Sequence, residues 1–162
     1  MYKRQILDFL NVDGPVYQNA ISELDSFKKL KTIMRGHQEV FNEIKLALKK
    51  DNVVFTYIIG NHDADFHFKS LQKYFKLSLT GDANSNKINF ISEECYNVQG
   101  NIQVRHGHQF EAMHTFDLEN PTFTKNNKKY LKLPWGSLFI LKVVNRFKAQ
   151  YDYVDKVLPC LL

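Results

Sequence analysis

Cysteine is nearly absent: the 162 residues hold two, Cys95 and Cys160. Two thiols that far apart make neither a disulfide framework nor a thiolate zinc site, so two reduced side chains on the core side are expected. Long apolar runs are missing too. None approaches the roughly 20 residues that a membrane span needs, and Met1-Tyr2-Lys3-Arg4 opens no signal-peptide core. No membrane association and a cytoplasmic location are therefore the expectation. There are no repeats and no low-complexity tracts. Acidic side chains are the minority, 17 against 22 Lys and Arg, for a formal charge of +5. That excess suits phosphate-bearing partners, but the lysines are scattered along the chain rather than gathered in a stripe. The densest cluster, Lys125-Asn126-Asn127-Lys128-Lys129, reads as a solvated loop, and nucleic acid is not the expected partner.

What is present is enough apolar material, 44% of the residues, for one domain with a sizeable core. Tyr2–Leu10 reads as a short strand or strand end, and Asn11-Val12-Asp13-Gly14-Pro15 as a loop. Ile21–Met34 predicts a helix capped by Ser22 or Asp25. His37, Val40, Phe41, Ile44 and Leu48 fall at helical spacing and predict a second helix with one apolar stripe, its end suited by Lys49-Lys50. A parallel strand is expected to precede it. Further on, Phe66–Phe75 predicts a short helix and Thr80–Asn86 a loop. Ile88–Ile91 and Asn101–Arg105 are strand candidates joined through a hairpin at Gln99-Gly100-Asn101. Glu111–Leu133 is irregular. From Pro134, the spacing of Leu138, Leu141, Val144, Phe147, Tyr151, Val154 and Leu158 predicts one long amphipathic helix.

The chain is organised around Val53–Asp63, Val-Val-Phe-Thr-Tyr-Ile-Ile-Gly-Asn-His-Asp. An aromatic and β-branched run of this length predicts a strand, Val53–Ile59, buried on both faces of a parallel sheet. In open α/β sheets the reactive groups follow the carboxyl ends of such strands. Gly60 lets the chain turn there and present Asn61, His62 and Asp63. A second such run is Val104-Arg105-His106-Gly107-His108-Gln109-Phe110-Glu111.

Gly60-Asn61-His62-Asp63 and the downstream His106-Gly107-His108 resemble, in order and placement, two motifs of the calcineurin-like metallophosphoesterases. The resemblance covers the central part of that family's domain. It implies an α/β fold, a mainly parallel sheet flanked by helices in a metallophosphoesterase-like sandwich, here incomplete. It implies a hydrolase acting on phosphomonoesters or phosphodiesters, with two divalent ions (Mn, Fe or Zn) activating a hydroxide. Carried over by position, Asn61 and His106 ligate one metal. His62 steadies the phosphate and protonates the leaving oxygen, and Asp63 orients the His62 ring. His108 is a candidate for phosphate contact or for supporting a ligand, and Asp65 and Glu111 for hydrogen-bonding such groups. His37, His67 and His114 read as ordinary surface or helix-end histidines.

The family's opening Asp-x-His, its Gly-Asp and its closing Gly-His-x-His are not found. Arg4-Gln5-Ile6-Leu7-Asp8-Phe9 loosely resembles Gly-Asp-x-x-Asp-Phe, with the uncharged Gln5 where a metal-bridging carboxylate belongs. The chain thus reads as a single domain over 1–162, apparently truncated at both ends, or else diverged. Without the bridging carboxylate, the chain is expected to hydrolyse an aryl phosphodiester no faster than its His62→Ala variant. A non-catalytic interaction or regulatory remnant of the same fold is the alternative. The missing strands also predict self-association through an exposed sheet edge.

Overall fold

A computed structural model describes residues 7–98, 100–148 and 150–151. Near its start the chain makes one turn of 3-10 helix, Phe9–Asn11, in place of the end of the expected first strand; Tyr2–Ile6 lie outside the described residues. Asp8 imposes the turn by accepting from the backbone N–H groups of Leu10 (3.1 Å) and Asn11 (3.3 Å). A short strand β1 (Ala20–Ser22) leads into helix α1 (Glu23–Gly36). Ser22 caps α1: its Oγ accepts from the Asp25 N–H at 3.2 Å and donates to the Asp25 carboxylate at 2.6 Å. Helix α2 (Gln38–Leu48) follows and buries Phe41 and Leu48 as its spacing predicts, while Val40 faces solvent.

Strand β2 (Phe55–Ile58), helix α3 (Lys69–Thr80) and strand β3 (Ile88–Ile91) form one βαβ unit. The strands pair in parallel with Phe55 opposite Ile88 and Ile58 opposite Ile91. Leu71, Phe75 and Leu79 turn the inner face of α3 to the core, and Gly81, at φ 79°, ends the helix.

Beyond this unit the pairing is antiparallel. Strands β4 (Tyr96–Val98) and β5 (Ile102–Val104) form a hairpin, and β6 (Thr122–Lys125) and β7 (Lys128–Lys132) form another. β7 also pairs with β1, giving the order β1-β7-β6. The fold is thus mixed α and β, but the expected mainly parallel sheet reduces to the β2–β3 pair among the described residues. Connections of two to three residues can join only antiparallel neighbours, which decides the rest. The hairpin expected to join Ile88–Ile91 with Asn101–Arg105 joins β4 to β5 instead, and β3 belongs with β2. The Lys125–Lys129 cluster is no loose loop. Asn126 and Asn127, at φ 50° and 57°, form the tight turn between β6 and β7, and asparagine tolerates that left-handed backbone.

Nor is β2 buried on both faces. Tyr57 is its buried residue, and Val54, just before it, is exposed. The parallel partner expected ahead of α2 is β3, which comes after it. The last element starts at Trp135 as α4 (Trp135–Phe139), widens into a π-helical turn over Ile140–Val144 and resumes as α5 (Asn145–Lys148). Val154 and Leu158 of the expected long helix lie outside the described residues. No helix of the described residues is long and apolar enough to cross a membrane.

The core centres on Phe66, fully buried in a 3-10 turn (Ala64–His67) directly after the Gly60–Asp63 loop. Its ring meets Phe90 at 4.8 Å, Tyr57 at 5.1 Å, Phe75 at 5.2 Å and Phe9 at 5.5 Å between centroids. Removing a ring so placed costs about 3–5 kcal/mol. One aromatic cluster therefore fixes the turn at Phe9, both parallel strands and α3 around a single loop.

Candidate functional site

That loop lies at the carboxyl end of β2, where the sequence placed it. Ile59 still bonds to β3, its N–H donating to the Ile91 carbonyl at 3.0 Å, and then the chain leaves the sheet at Gly60. Gly60 must be glycine for lack of room. A Cβ there would stand 2.1 Å from His106 Nε2, so the His106 ring is seated on the Gly60 backbone.

Asn61 is buried, and its carbonyl accepts a 3.4 Å hydrogen bond from Ser137 Oγ in the first turn of α4. His62 is half-buried and points the other way, with Nδ1 3.2 Å from Asp8 Oδ1. The backbone repeats this link, since the Phe9 N–H donates to the His62 carbonyl at 3.0 Å. Burial would raise the Asp8 carboxyl, but the hydrogen bond and charge of His62, with the N–H groups of Asn11 and Leu10, outweigh it and hold its pKa below the ordinary value. Asp8, held ionised, is thus the acceptor available to a proton on His62 Nδ1.

Asp63 does not orient His62 as expected. Its carboxylate accepts from the Tyr57 hydroxyl at 2.6 Å and from the Gly60 N–H at 2.5 Å, tying the loop to the strand it left. Burial pushes its pKa up to about 7 in spite of these two donors. The same burial, with Asp63 beside it, drives the Tyr57 phenol well above its usual range. The carboxylate on His62 comes from a residue 54 positions away, because the one adjacent in sequence is consumed in shaping the loop.

His106 and His108 are brought together, Nδ1 to Nδ1 at 3.2 Å. Left-handed Gly107, at φ 100°, permits it. Two nitrogens at that spacing either share one proton or fit one cation, since ligands about 2.0–2.1 Å from a metal stand about 3.3 Å apart at a tetrahedral angle. His67 and His108 flank Phe116, with ring centroids 6.1 and 5.8 Å from it. Burial, reinforced by the neighbouring imidazoles, lowers His108 to about 4, and burial lowers His67 to about 4 with help from Lys69. Both are neutral near pH 7. His114 packs against Gly136 at the start of α4, bonds Glu111 at 3.3 Å through Nε2, and keeps a buried Nδ1 that makes no hydrogen bond. His67 and His114 do end short 3-10 helices, as one half of the expectation had it, but they lie half-buried as neighbours of His108 rather than on the surface. Asp65 is fully buried beneath the loop and faces Lys29 rather than the histidines.

The two-metal centre implied by the resemblance does not fit the described residues. Among them no three or more His, Cys, Asp or Glu side chains converge so as to hold a metal ion. Two imidazoles with Asn61 nearby begin one site and supply nothing that bridges two cations. No protein-family model matches the chain, and neither a curated protein nor a solved structure matches it.

Proposed function

We propose that this chain acts on phosphate esters, as the resemblance of its two histidine motifs implies, with His62 and Asp8 as its proton-handling pair. The observation that carries the reading is the 3.2 Å contact between His62 and Asp8 in the loop directly beyond β2. Asp8 fixes the proton on Nδ1, and Nε2 of the imidazolium donates to the departing ester oxygen, a role worth about a hundredfold to ten-thousandfold in rate. His106 is seated on Gly60 beside the same loop, and His108, which burial holds neutral near pH 7, lies next to it. No step is assigned to a metal.

The test is hydrolysis of an aryl phosphodiester with added manganese, comparing the native chain with His62→Ala and Asp8→Asn. This reading requires turnover that falls at least about a hundredfold in His62→Ala and partially in Asp8→Asn. Turnover no faster than that of His62→Ala removes the catalytic reading. A second reading, a non-catalytic interaction module on the same fold, then stands. It is favoured by the absence, among the described residues, of a convergent group of metal-binding side chains.

A further inference from the structure

The lysines that look scattered in the sequence converge on a groove between α2 and α3. One part, of about 330 Å³, runs beside the end of α1 and carries Lys31, Arg35 and Lys45. The other, of about 700 Å³, carries Lys45, Lys49 and Lys87. Asn42 and Lys45 line both parts, so the two adjoin along α2. No Asp or Glu lines either part. These five cations equal the whole formal excess of +5; without them the chain's basic and acidic side chains balance.

The floor of the wider part is apolar. Leu48 and Leu79 are buried in it, while Leu46 and Leu77 remain 53% and 49% exposed. A phosphate or a sugar gains nothing from leucine, whereas an apolar side chain does. Of the groove's two aromatic rings, Phe41 is buried in the core, and Tyr74 is flanked by Phe27 at 5.0 Å and by the Lys31 ammonium at 5.6 Å. It offers no open face on which a base could stack. An apolar floor edged by Lys45 and Lys49 on its α2 side, with Lys87 beside it and uncharged side chains on its α3 side, matches a helix with leucines on one face and carboxylates beside them.

We propose that the α2–α3 groove docks an acidic amphipathic segment of a partner protein, seating its apolar side chains on Leu46 and Leu77. The groove lies at the amino end of the parallel pair, where Lys87 precedes β3, while Asn61 and His62 follow its carboxyl end. Docking therefore leaves the histidine loop open, and the proposal is independent of the reading given to that loop.

The test uses the whole chain and a fluorescein-labelled helical peptide of about 18 residues with leucine on one face and glutamate on the other. The same peptide with glutamine for glutamate, and a thymidine oligonucleotide of similar length, serve as controls. Fluorescence anisotropy is expected to show binding of the acidic peptide that weakens as salt rises. Lys45→Glu/Lys49→Glu is expected to weaken it at least about tenfold, and Lys31→Glu/Arg35→Glu, in the adjoining narrower part, to weaken it as well. These side chains are partly or fully solvent-exposed, so both variants should keep the native circular dichroism spectrum. Lys87 is left intact because its ammonium holds the carbonyls of Lys50 (2.8 Å) and Asp51 (2.9 Å) at the end of α2. No binding by the native chain, equal binding by either charge-reversed variant, or equal binding of the neutral peptide or the oligonucleotide would each overturn the proposal.

Discussion

Lys29→Met tests how the site is held from behind. Lys29 is 2% exposed, and its ammonium donates to the Phe9 carbonyl at 3.1 Å, which ties α1 to the turn that carries Asp8. It also faces Asp65, which is 1% exposed and has one carboxylate oxygen, Oδ1, without a hydrogen bond. Burial lowers the Lys29 pKa and raises that of Asp65; the charge of each works against the other's shift. Methionine keeps most of the stem that packs over Gly14 and removes only the charge and its donors. A hydrogen bond to a charged group contributes about 1.5–3 kcal/mol. Asp65 and Lys29 make no ion pair and act on each other only through charge, so leaving Asp65 without that cation adds to this total but by less than breaking a buried pair would. Relief of the buried ammonium's own desolvation brings the expectation to about 3 kcal/mol. For a domain of this size that is a fall in Tm of roughly 6–12 °C. Urea titration followed by far-ultraviolet circular dichroism reads it directly. Lys29→Met/Asp65→Asn should recover at least about 1 kcal/mol of the summed single losses, since the two groups are coupled. A single-variant cost below about 1 kcal/mol, or strictly additive costs, would refute the argument that this buried pair braces the turn at Phe9.

Asp63→Asn gives a pH signature. The native pKa of about 7 lies above the unfolded value near 3.8, so the stability linked to its proton is full below about pH 3.8 and lost as pH rises through 7. The asparagine variant should therefore gain roughly 3 kcal/mol relative to the native chain between pH 5 and pH 9 in paired urea titrations; parallel curves would mean that Asp63 is ionised throughout. Gly60→Ala should displace the His106 ring while leaving the fold largely intact, because the clash is with a side chain that can swing away. Loss of imidazole cross-peaks between His106 and His108 at nearly unchanged Tm is the expected result. Asn127→Gly should stabilise the β6–β7 hairpin by a few tenths of a kcal/mol and Asn127→Val should destabilise it by about 1 kcal/mol, since φ 57° suits glycine and strains a β-branched residue.

What could be read in the sequence was local. Ser22, the spacing through Phe41 and Leu48, and the run ending at Gly60 each act within a few residues, and α1, α2 and β2 form where they predict. Asn61 and His62 do follow the strand, and His106 does come to the same loop. The partner of His62 was not legible. Asp63 is adjacent and chemically suited, but its burial beside Tyr57 spends both carboxylate oxygens, and nothing local ranks Asp8 above it. Asp8-Phe9 in the loosely matching amino-terminal stretch was the one available signal. The helix-end positions of His67 and His114 were legible, but their nearness to His108 was not, because it depends on Phe116 and Gly136 farther along the chain. Sheet pairing failed for a related reason: two asparagines can close a turn as glycine does, and the Lys125–Lys129 charge run disguised them. The cationic groove needed α2 and α3 to be packed before it existed.

The contact between Asp8 and His62 also sets an order of events in time. Closing a loop of 54 residues costs about 3.5 kcal/mol of chain entropy, and nothing repays it until the rings of Phe9 and Phe66 meet. The turn itself is closed locally by Asp8, but its seat against His62 requires Phe9 to pack on Phe66 of the βαβ unit. In the finished protein the sequence runs in reverse. If the turn at Phe9 lifts, His62 loses its carboxylate while the parallel strands and α3 stay folded. Local opening there, visible as faster amide exchange at Leu10 and Asn11 than in α3, would part His62 from Asp8 without unfolding the domain.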